Sequence, residues 1–154
     1  MSGTYTATIN WLRRPAETFT DGKFSRGHQW SFDGGLTVPA SASPHVVSRF
    51  ADPAGVDPEE ALVAALSSCH MLTFLYYAAK RGLVVESYQD TAEGVMSKNA
   101  KGKLFVSEVT LRPRTIWSGT GPDAAALDAL HHQAHEECFI ANSVLTRVRI
   151  EPAL

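Results

Sequence analysis

The sequence predicts an α+β domain, because strand-like segments flank one long apolar helix. Residues 4–11 alternate apolar side chains with threonine or asparagine, which is the period-two pattern of a half-buried strand. Residues 58–81 instead form an apolar run that is bounded by helix-capping residues. Neither a repeat nor a linker interrupts the 154 residues, so we expect one domain over residues 1–154.

The first third of the chain is expected to form short strands followed by a long loop. After the strand at 4–11, residues 28–32 form a second strand, and residues 36–38 begin a third one before Pro39. Residues 40–56 are rich in proline, serine, alanine and glycine, which indicates a loop. Loops of this length in a compact domain are more often functional than idle.

The clearest predicted element is a central helix. Asp57 is a good N-cap, Pro58 suits the first helical position, and Glu60 completes a pattern similar to a capping box. At the other end, Lys80 favours the negative pole of the helix dipole and Gly82 is a natural stop. Because the run between them is apolar nearly all round, we expect a buried helix. A monomer of this size would struggle to cover it.

The second half of the chain is expected to add strands and one further helix. Three segments have strand patterns: 83–88, 91–96 and 104–117. Pro113 marks an edge or an irregularity in the third of them. The second helix opens at Asp123 and ends near Cys138, a short helical turn follows, and a strand at 146–151 closes the chain.

Composition and charge argue against several classes of function. The formal net charge of −2 argues against nucleic acid or an acidic membrane as the main partner. No apolar run approaches the roughly 20 residues that a membrane span needs, and the first residues lack the features of a signal peptide. We therefore expect a cytoplasmic protein, in which a disulfide is transient and catalytic rather than structural.

Two cysteines far apart in the chain are the strongest candidates for chemistry. Cys69 lies in the predicted central helix, and Cys138 ends the second helix. An arginine such as Arg49 turns an inert thiol into a reactive thiolate, and a carboxylate such as Glu59 would hold the guanidinium in place. A peroxide would then convert Cys69 to a sulfenic acid, with which Cys138 condenses to a disulfide. The alternative is a pair of core thiols beside a surface arginine.

The spacing of these residues bears on how they could form one site. Glu59 and Cys69 are ten residues apart, which is about 15 Å along a straight helix, so they cannot touch. The loop could carry Arg49 back along the helix, or a second subunit with an antiparallel helix could bring its own arginine and glutamate to Cys69. The all-round apolar helix favours the second arrangement, a dimer with composite sites.

Four segments, in order, resemble the OsmC/Ohr family of osmotically inducible protein C and the organic hydroperoxide resistance proteins. They are Ser48-Arg49-Phe50, Asp57-Pro58-Glu59-Glu60-Ala61-Leu62, Ala64-Ala65-Leu66-Ser67-Ser68-Cys69 and Cys138-Phe139-Ile140-Ala141-Asn142-Ser143-Val144-Leu145. The resemblance spans nearly the whole chain. It implies an OsmC-like fold, with antiparallel sheets around long central helices, in an intertwined homodimer.

The resemblance also implies an activity and roles for four residues. The activity is that of a thiol peroxidase acting on organic hydroperoxides and on hydrogen peroxide, reduced by a small dithiol or a lipoyl protein, without cofactor or metal. Cys69 is then the peroxidatic cysteine and Cys138 the resolving one. Arg49 activates the thiolate, as in the OsmC branch of the family, and Glu59 orients the arginine.

Some positions fit the family pattern less closely. In the Ohr branch the arginine lies near the N-terminus, where this chain has Arg13 and Arg14, and these two are the alternative to the arginine of the OsmC branch. Asp57 replaces the usual asparagine, His70 follows the nucleophile where phenylalanine is common, and Phe139 replaces a proline. The changes leave the predicted fold intact but leave open the substrate, the turnover and the role of the histidine.

Two other interpretations of the sequence remain. His131, His135 and Cys138 share one helix face and could ligate zinc in principle, although a convincing fourth ligand is missing. A non-catalytic protein of the same fold could instead bind a small apolar ligand. The aromatic residues that could line such a pocket are Trp11, Trp30, Phe50 and Phe74.

Overall fold

Two α-helices and eight strands make up the computed structural model, which describes residues 3–153. The helices are α1 (Pro58–Lys80) and α2 (Ala124–Glu136), with 3-10 turns at Phe19–Asp21 and Ala141–Ser143. The strands are β1 (Ala7–Asn10), β2 (His28–Phe32), β3 (Thr37–Ala40), β4 (Val85–Asp90), β5 (Glu93–Lys98), β6 (Leu104–Leu111), β7 (Pro113–Trp117) and β8 (Arg147–Ile150). The α+β class predicted from the sequence is confirmed. The chain divides into two compact units, one ending at Ala61 and one beginning at Leu62.

The first unit contains a small antiparallel sheet in the order β1-β2-β3. Trp30 in the central strand lies opposite Ile9 of β1 and Val38 of β3, which fixes the register on both sides. The first strand is shorter than the predicted 4–11. Pro39 lies inside β3 rather than after it, and an edge strand tolerates a proline because its outer side needs no ladder donor.

The predicted loop at 40–56 folds back onto the end of β3. The buried Ser41 anchors it, since its hydroxyl accepts a hydrogen bond from the Asp52 N–H at 2.8 Å. The Ser41 N–H in turn donates to the carbonyl of Val56 at 3.0 Å, and the Val56 N–H donates to the carbonyl of Pro39 at 3.0 Å. These bonds deliver the chain in a fixed position to the start of α1.

The ends of α1 form as the sequence predicts. The Glu60 N–H donates to Asp57 Oδ1 at 2.8 Å, and the Asp57 N–H donates to Glu60 Oε2 at 3.3 Å. This reciprocal capping box satisfies two N–H groups that the helix itself leaves without partners. After Lys80 the chain leaves the helix through Gly82. Its φ of 70° lies in the left-handed region, which glycine adopts more readily than other residues.

The second unit contains two separate sheets. One pairs β4 with β7, and the other has the order β5-β6-β8, in which β6 and β8 are parallel and the remaining pairs antiparallel. The prediction of one strand over 104–117 is wrong, because this segment forms β6 and β7 in different sheets. The break falls at Arg112, whose N–H donates to Asp90 Oδ1 at 2.6 Å, and β7 begins with Pro113, which has no N–H for a ladder.

One stripe of α1 forms the core of the second unit. Phe74 and Ala78 pack against Leu130 and Ala134 of α2. Closer to the start of the helix, Leu66 packs against residues of β6. Side chains at these positions recur every four residues, so they share one helix face.

The remaining faces of α1 are less covered than the predicted buried helix would be. Leu72 is 61% exposed and Tyr76 is 54% exposed in the single chain. Among the described residues, α1 is also long and apolar enough, by length and composition only, to cross a membrane. The sequence-based statement that no apolar run approaches that length is therefore wrong, although core helices pass the same test.

We predict that Asp57→Ala lowers the free energy of unfolding by about 1 kcal/mol, because it removes the acceptor of the capping box. Asp57→Asn keeps an acceptor oxygen at the same position and should retain most of the stability. Denaturant unfolding of the two variants and the wild-type protein measures the difference. Equal stability of the alanine and asparagine variants would show that the cap contributes nothing.

Candidate functional site

The structure places the two thiols predicted to react close together within the second unit. Cys69 projects from α1 and Cys138 lies just beyond the end of α2, and both are free. Burial, followed by a hydrogen bond with the Cys69 thiol, raises the pKa of Cys138 to about 11. Cys138 is 1% exposed, whereas Cys69 is only partly buried. A reagent from solvent therefore reaches Cys69 first.

A tight turn holds Cys138 in place. Its N–H donates to the carbonyl of His135 at 3.2 Å, which continues the end of α2 by one turn. The Ala141 N–H donates to its sulfur at 3.4 Å, and the Asn142 side-chain amide donates to its carbonyl at 3.1 Å. Phe139 stands where the family pattern has proline, and its side chain is 76% exposed.

The pair of thiols has a definite chemical capacity. A thiolate attacks electrophilic oxygen or sulfur, and a sulfenic acid formed on one cysteine condenses with a neighbouring thiol. Cys138 is mostly protonated at neutral pH because of its raised pKa, and it is hidden from solvent. The arrangement is therefore suited to oxidation at Cys69 and closure by Cys138.

The charged residues predicted for the site lie in the first unit, whereas the thiols lie in the second. Arg49 is exposed in the turn region before α1, and Glu59 is partly buried in the first turn of that helix. The alternative arginines sit in another turn of the first unit. There Arg13 donates to the carbonyl of Glu17 at 2.6 Å, and the Arg14 N–H donates to the Glu17 carboxylate at 3.2 Å.

A buried pair of histidines next to the thiols is a feature that the sequence analysis missed. Nε2 of His70 on α1 lies 3.1 Å from Nδ1 of His131 on α2, and the two rings stack with centroids 5.4 Å apart. Phe74 stacks on His131 from the next turn, at 4.4 Å. Burial lowers the pKa of His70 to about 3 and that of His131 to about 4, so both rings are neutral near pH 7.

Three polar atoms around this pair are buried without a hydrogen-bond partner among residues 3–153: Nδ1 of His70, Nδ1 of His135 and the hydroxyl of Tyr88. Burial is the main cause of the lowered pKa of His70, and the charges that His131 and His135 would carry when protonated lower it further. Buried polar atoms without partners are uncommon in native proteins and call for an explanation.

The zinc interpretation gains no support from this arrangement. Within the described part of the chain, no group of three or more histidine, cysteine, aspartate or glutamate side chains is placed to hold a metal ion. His131 is engaged by His70. The helix face that carries these histidines packs against α1.

The first unit has an open cavity of about 480 Å³ with an almost entirely apolar lining. Trp11 and Phe24 form part of its wall, and Phe19 stacks on Phe24 at 4.5 Å. Arg26 lies over the Phe24 ring at 3.5 Å and is a charged group at the cavity. Of the four aromatic residues predicted to line a pocket, only Trp11 does so here, and Phe74 belongs to the core of the second unit.

The fold and the thiol pair define a class of small α+β proteins with two free cysteines close together. The chain belongs to the OsmC-like protein family, whose family model matches residues 51–153. This confirms the family proposed from the sequence motifs.

Known proteins and structures are similar to the chain to different extents. An OsmC-like protein of unknown function from Vibrio cholerae is 53% identical with a TM-score of 0.95, over 99% of this chain and 100% of that one. The organic hydroperoxide resistance protein OhrB of Bacillus subtilis is 17% identical with a TM-score of 0.69, over 98% of both chains, and supports the fold. An uncharacterised Bacillus subtilis protein, YmaD, is 24% identical over 99 residues, which are 63% of this chain and 65% of that protein. The chain thus spans less than two thirds of this relative.

We predict that the folded protein loses stability as the pH falls from about 6.5 to about 4. In the unfolded chain both histidines bind protons near the ordinary histidine pKa of 6.5, whereas burial lowers the folded pKa values to about 3 and about 4. Below pH 6.5 the unfolded chain binds protons that the folded chain does not. The free energy of unfolding is therefore highest above pH 6.5 and decreases as the pH falls. The slope is at most about 1.4 kcal/mol per pH unit for each histidine.

Urea unfolding of the wild-type protein and a His70→Met/His131→Leu variant at several pH values measures this effect. Carboxylates contribute equally to both proteins, so the difference between the two slopes isolates the histidines. Parallel pH dependences would contradict the prediction.

Proposed function

We propose that the protein is a thiol peroxidase that reduces organic hydroperoxides, and also hydrogen peroxide, through Cys69 and Cys138. The observation that carries this proposal is the proximity of two free thiols of unequal exposure. Membership of the OsmC-like family supports it, and a structural relative is named for organic hydroperoxide resistance.

The proposed reaction has two chemical steps. The Cys69 thiolate attacks the outer oxygen of the hydroperoxide, the O–O bond breaks, and the alkoxide takes up a proton and leaves as an alcohol. Cys69 is then a sulfenic acid. Cys138 attacks its sulfur, the S–O bond breaks, and the hydroxide leaves with the Cys138 proton as water.

Regeneration requires an external dithiol. A small dithiol or a lipoyl protein transfers two electrons and two protons to the Cys69–Cys138 disulfide and becomes a disulfide itself. No cofactor takes part in this scheme. The proposal includes a cytoplasmic location, where such reductants keep thiols reduced.

Arg49 and Glu59 complete the proposed site from a second subunit. The guanidinium lowers the pKa of a nearby thiol and the glutamate orients it, as the family resemblance implies. The separation of Glu59 from Cys69 in the sequence argues for this composite arrangement. The exposed apolar side chains of α1, among them Leu72 and Tyr76, favour burial against a second copy. In this proposal residues 1–154 act as one OsmC-like domain.

The cavity of the first unit favours a second candidate function. An open apolar space of about 480 Å³ beside Arg26 suits a small apolar ligand, so the protein could be a non-catalytic binder with an OsmC-like fold. This alternative predicts saturable binding of an apolar probe and no turnover of hydroperoxide with a dithiol. The thiol peroxidase predicts turnover, so one coupled assay separates the two.

We predict that one equivalent of cumene hydroperoxide removes two hydrogens from the reduced wild-type protein. Peptide mapping after intact-mass analysis should place the new bond between Cys69 and Cys138. In Cys138→Ser the sulfenic acid on Cys69 should persist and be trapped by dimedone. Cys69→Ser should not react. Thiols that stay reduced and titratable in the wild-type protein would overturn the peroxidase proposal.

We predict that two inactive variants restore activity when they form mixed dimers. In a mixed dimer of Cys69→Ser and Arg49→Ala, one site has both Cys69 and Arg49 and the other has neither. With random pairing, half of the dimers are mixed and each has one complete site, so about a quarter of wild-type activity should return. The matched control mixes Cys69→Ser with Cys138→Ser, whose cysteines act within one subunit. If Arg49 acts within its own subunit, neither mixture regains activity.

A further inference from the structure

The buried histidine pair lies next to the thiol pair on the same two helices. His70 follows Cys69 directly on α1, and His131 precedes Cys138 by seven residues at the end of α2. The 3.1 Å contact between the two imidazoles thus joins α1 to α2 close to where the thiols meet. Adjacent residues of one helix move as a unit, so a displacement of His70 also displaces Cys69.

Stability alone gives no reason for this pair. Each neutral ring has one N–H and one bare nitrogen, and the single bond between the rings leaves Nδ1 of His70 buried without a partner. Two apolar side chains of similar size would pack in the same place without that penalty. A hydrogen bond between the helices has a preferred distance and angle, so it fixes their relative position. Apolar surfaces can shift past one another at little cost in free energy.

Around the pair the interface is apolar; a second polar contact with α2, from Arg81 just after α1 to Gln133 at 2.8 Å, is exposed to solvent. Phe74 and Ala78 meet Leu130 and Ala134 through dispersion and burial, which depend weakly on a shift along the helix. The hydrogen bond from the Ser67 hydroxyl to Asp90 at 2.5 Å connects α1 to β4 and not to α2. The histidine bond is thus a buried directional contact between α1 and α2.

We propose that His70 and His131 are positioning residues for disulfide closure, which set how α1 lies on α2 and so hold Cys69 beside Cys138. This inference rests on the proposed thiol peroxidase cycle. It concerns the second step, in which Cys138 attacks the Cys69 sulfenic acid, an S–S bond forms, and water leaves with the Cys138 proton. The first step involves Cys69 and the peroxide and does not depend on the placement of Cys138.

The rate of disulfide formation depends on the position of Cys69, because Cys138 is held in one position. It is 1% exposed and fixed by hydrogen bonds to its backbone and sulfur. A misplacement of about 1 Å between reacting groups can slow a reaction by about 100-fold. A shift of α1 on α2 would therefore slow closure and leave the sulfenic acid exposed to further oxidation.

The test uses the full-length protein, cumene hydroperoxide and the variants His131→Phe and His131→Gln. Phenylalanine keeps a ring on Phe74 but cannot form a hydrogen bond, whereas glutamine can still bond to His70. Quenched-flow intact mass gives the rate of disulfide closure, and dimedone trapping gives the rate of sulfenic acid formation. The matched control is His132→Phe, one residue along α2, whose side chain is 72% exposed.

We expect His131→Phe to form the sulfenic acid at the wild-type rate and to close the disulfide at least about tenfold more slowly. His131→Gln should recover most of the closure rate, and His132→Phe should match the wild type in both steps. If His131→Phe does not fold, His131→Asn, which is too short for the bond, takes its place.

Two results would overturn the inference. Closure at the wild-type rate in the phenylalanine variant, or equal loss in the phenylalanine and glutamine variants, would show that the hydrogen bond does not position the thiols. A wild-type protein that forms no disulfide at all would instead refute the proposed peroxidase cycle. The two failures are therefore distinguishable.

Discussion

Burial of one stripe of α1 against α2 is the constraint on which the second unit depends. Phe74 and Ala78 are fully buried against Leu130 and Ala134. A fully buried phenylalanine contributes about 1.5–3 kcal/mol relative to an exposed one. The same contact brings Cys138 to Cys69, so core packing and the chemistry of the candidate site share one helix pair. A change in this interface therefore alters both stability and the placement of the thiols.

Much of the fold could be predicted from local signals. The cap of α1 at Asp57, its end before Gly82 and the strand at 28–32 all depend on neighbouring residues and formed as expected. The segment 104–117 did not, because the division of its strand pattern between two sheets depends on distant partners. Periodicity shows that a segment is extended but does not show to which strand it pairs.

The candidate site was predictable to a different degree. The meeting of Cys69 and Cys138 was expected from chemistry and from the resemblance to a family. The pairing of His70 with His131 was not, since 61 residues separate them and no local pattern links the two. The spacing of His131 and His135 indicated one face of a helix, but a face that packs on another helix and one that ligates a metal look alike in sequence. Only the residue that lies against this face in the fold, here His70, distinguishes the two.

The burial of Cys138 has a consequence for the return half of the proposed cycle. In thiol–disulfide exchange the attacked sulfur must be accessible, and the departing thiol leaves faster when its pKa is low. Here the more exposed sulfur is Cys69, so Cys138 is the leaving group, and burial, the main cause of its raised pKa, makes it a slow one. Recovery by a dithiol is then the slow half of the proposed cycle. Such a protein would accumulate in the disulfide form after a burst of oxidant, and its redox state would record recent exposure for as long as dithiol is scarce.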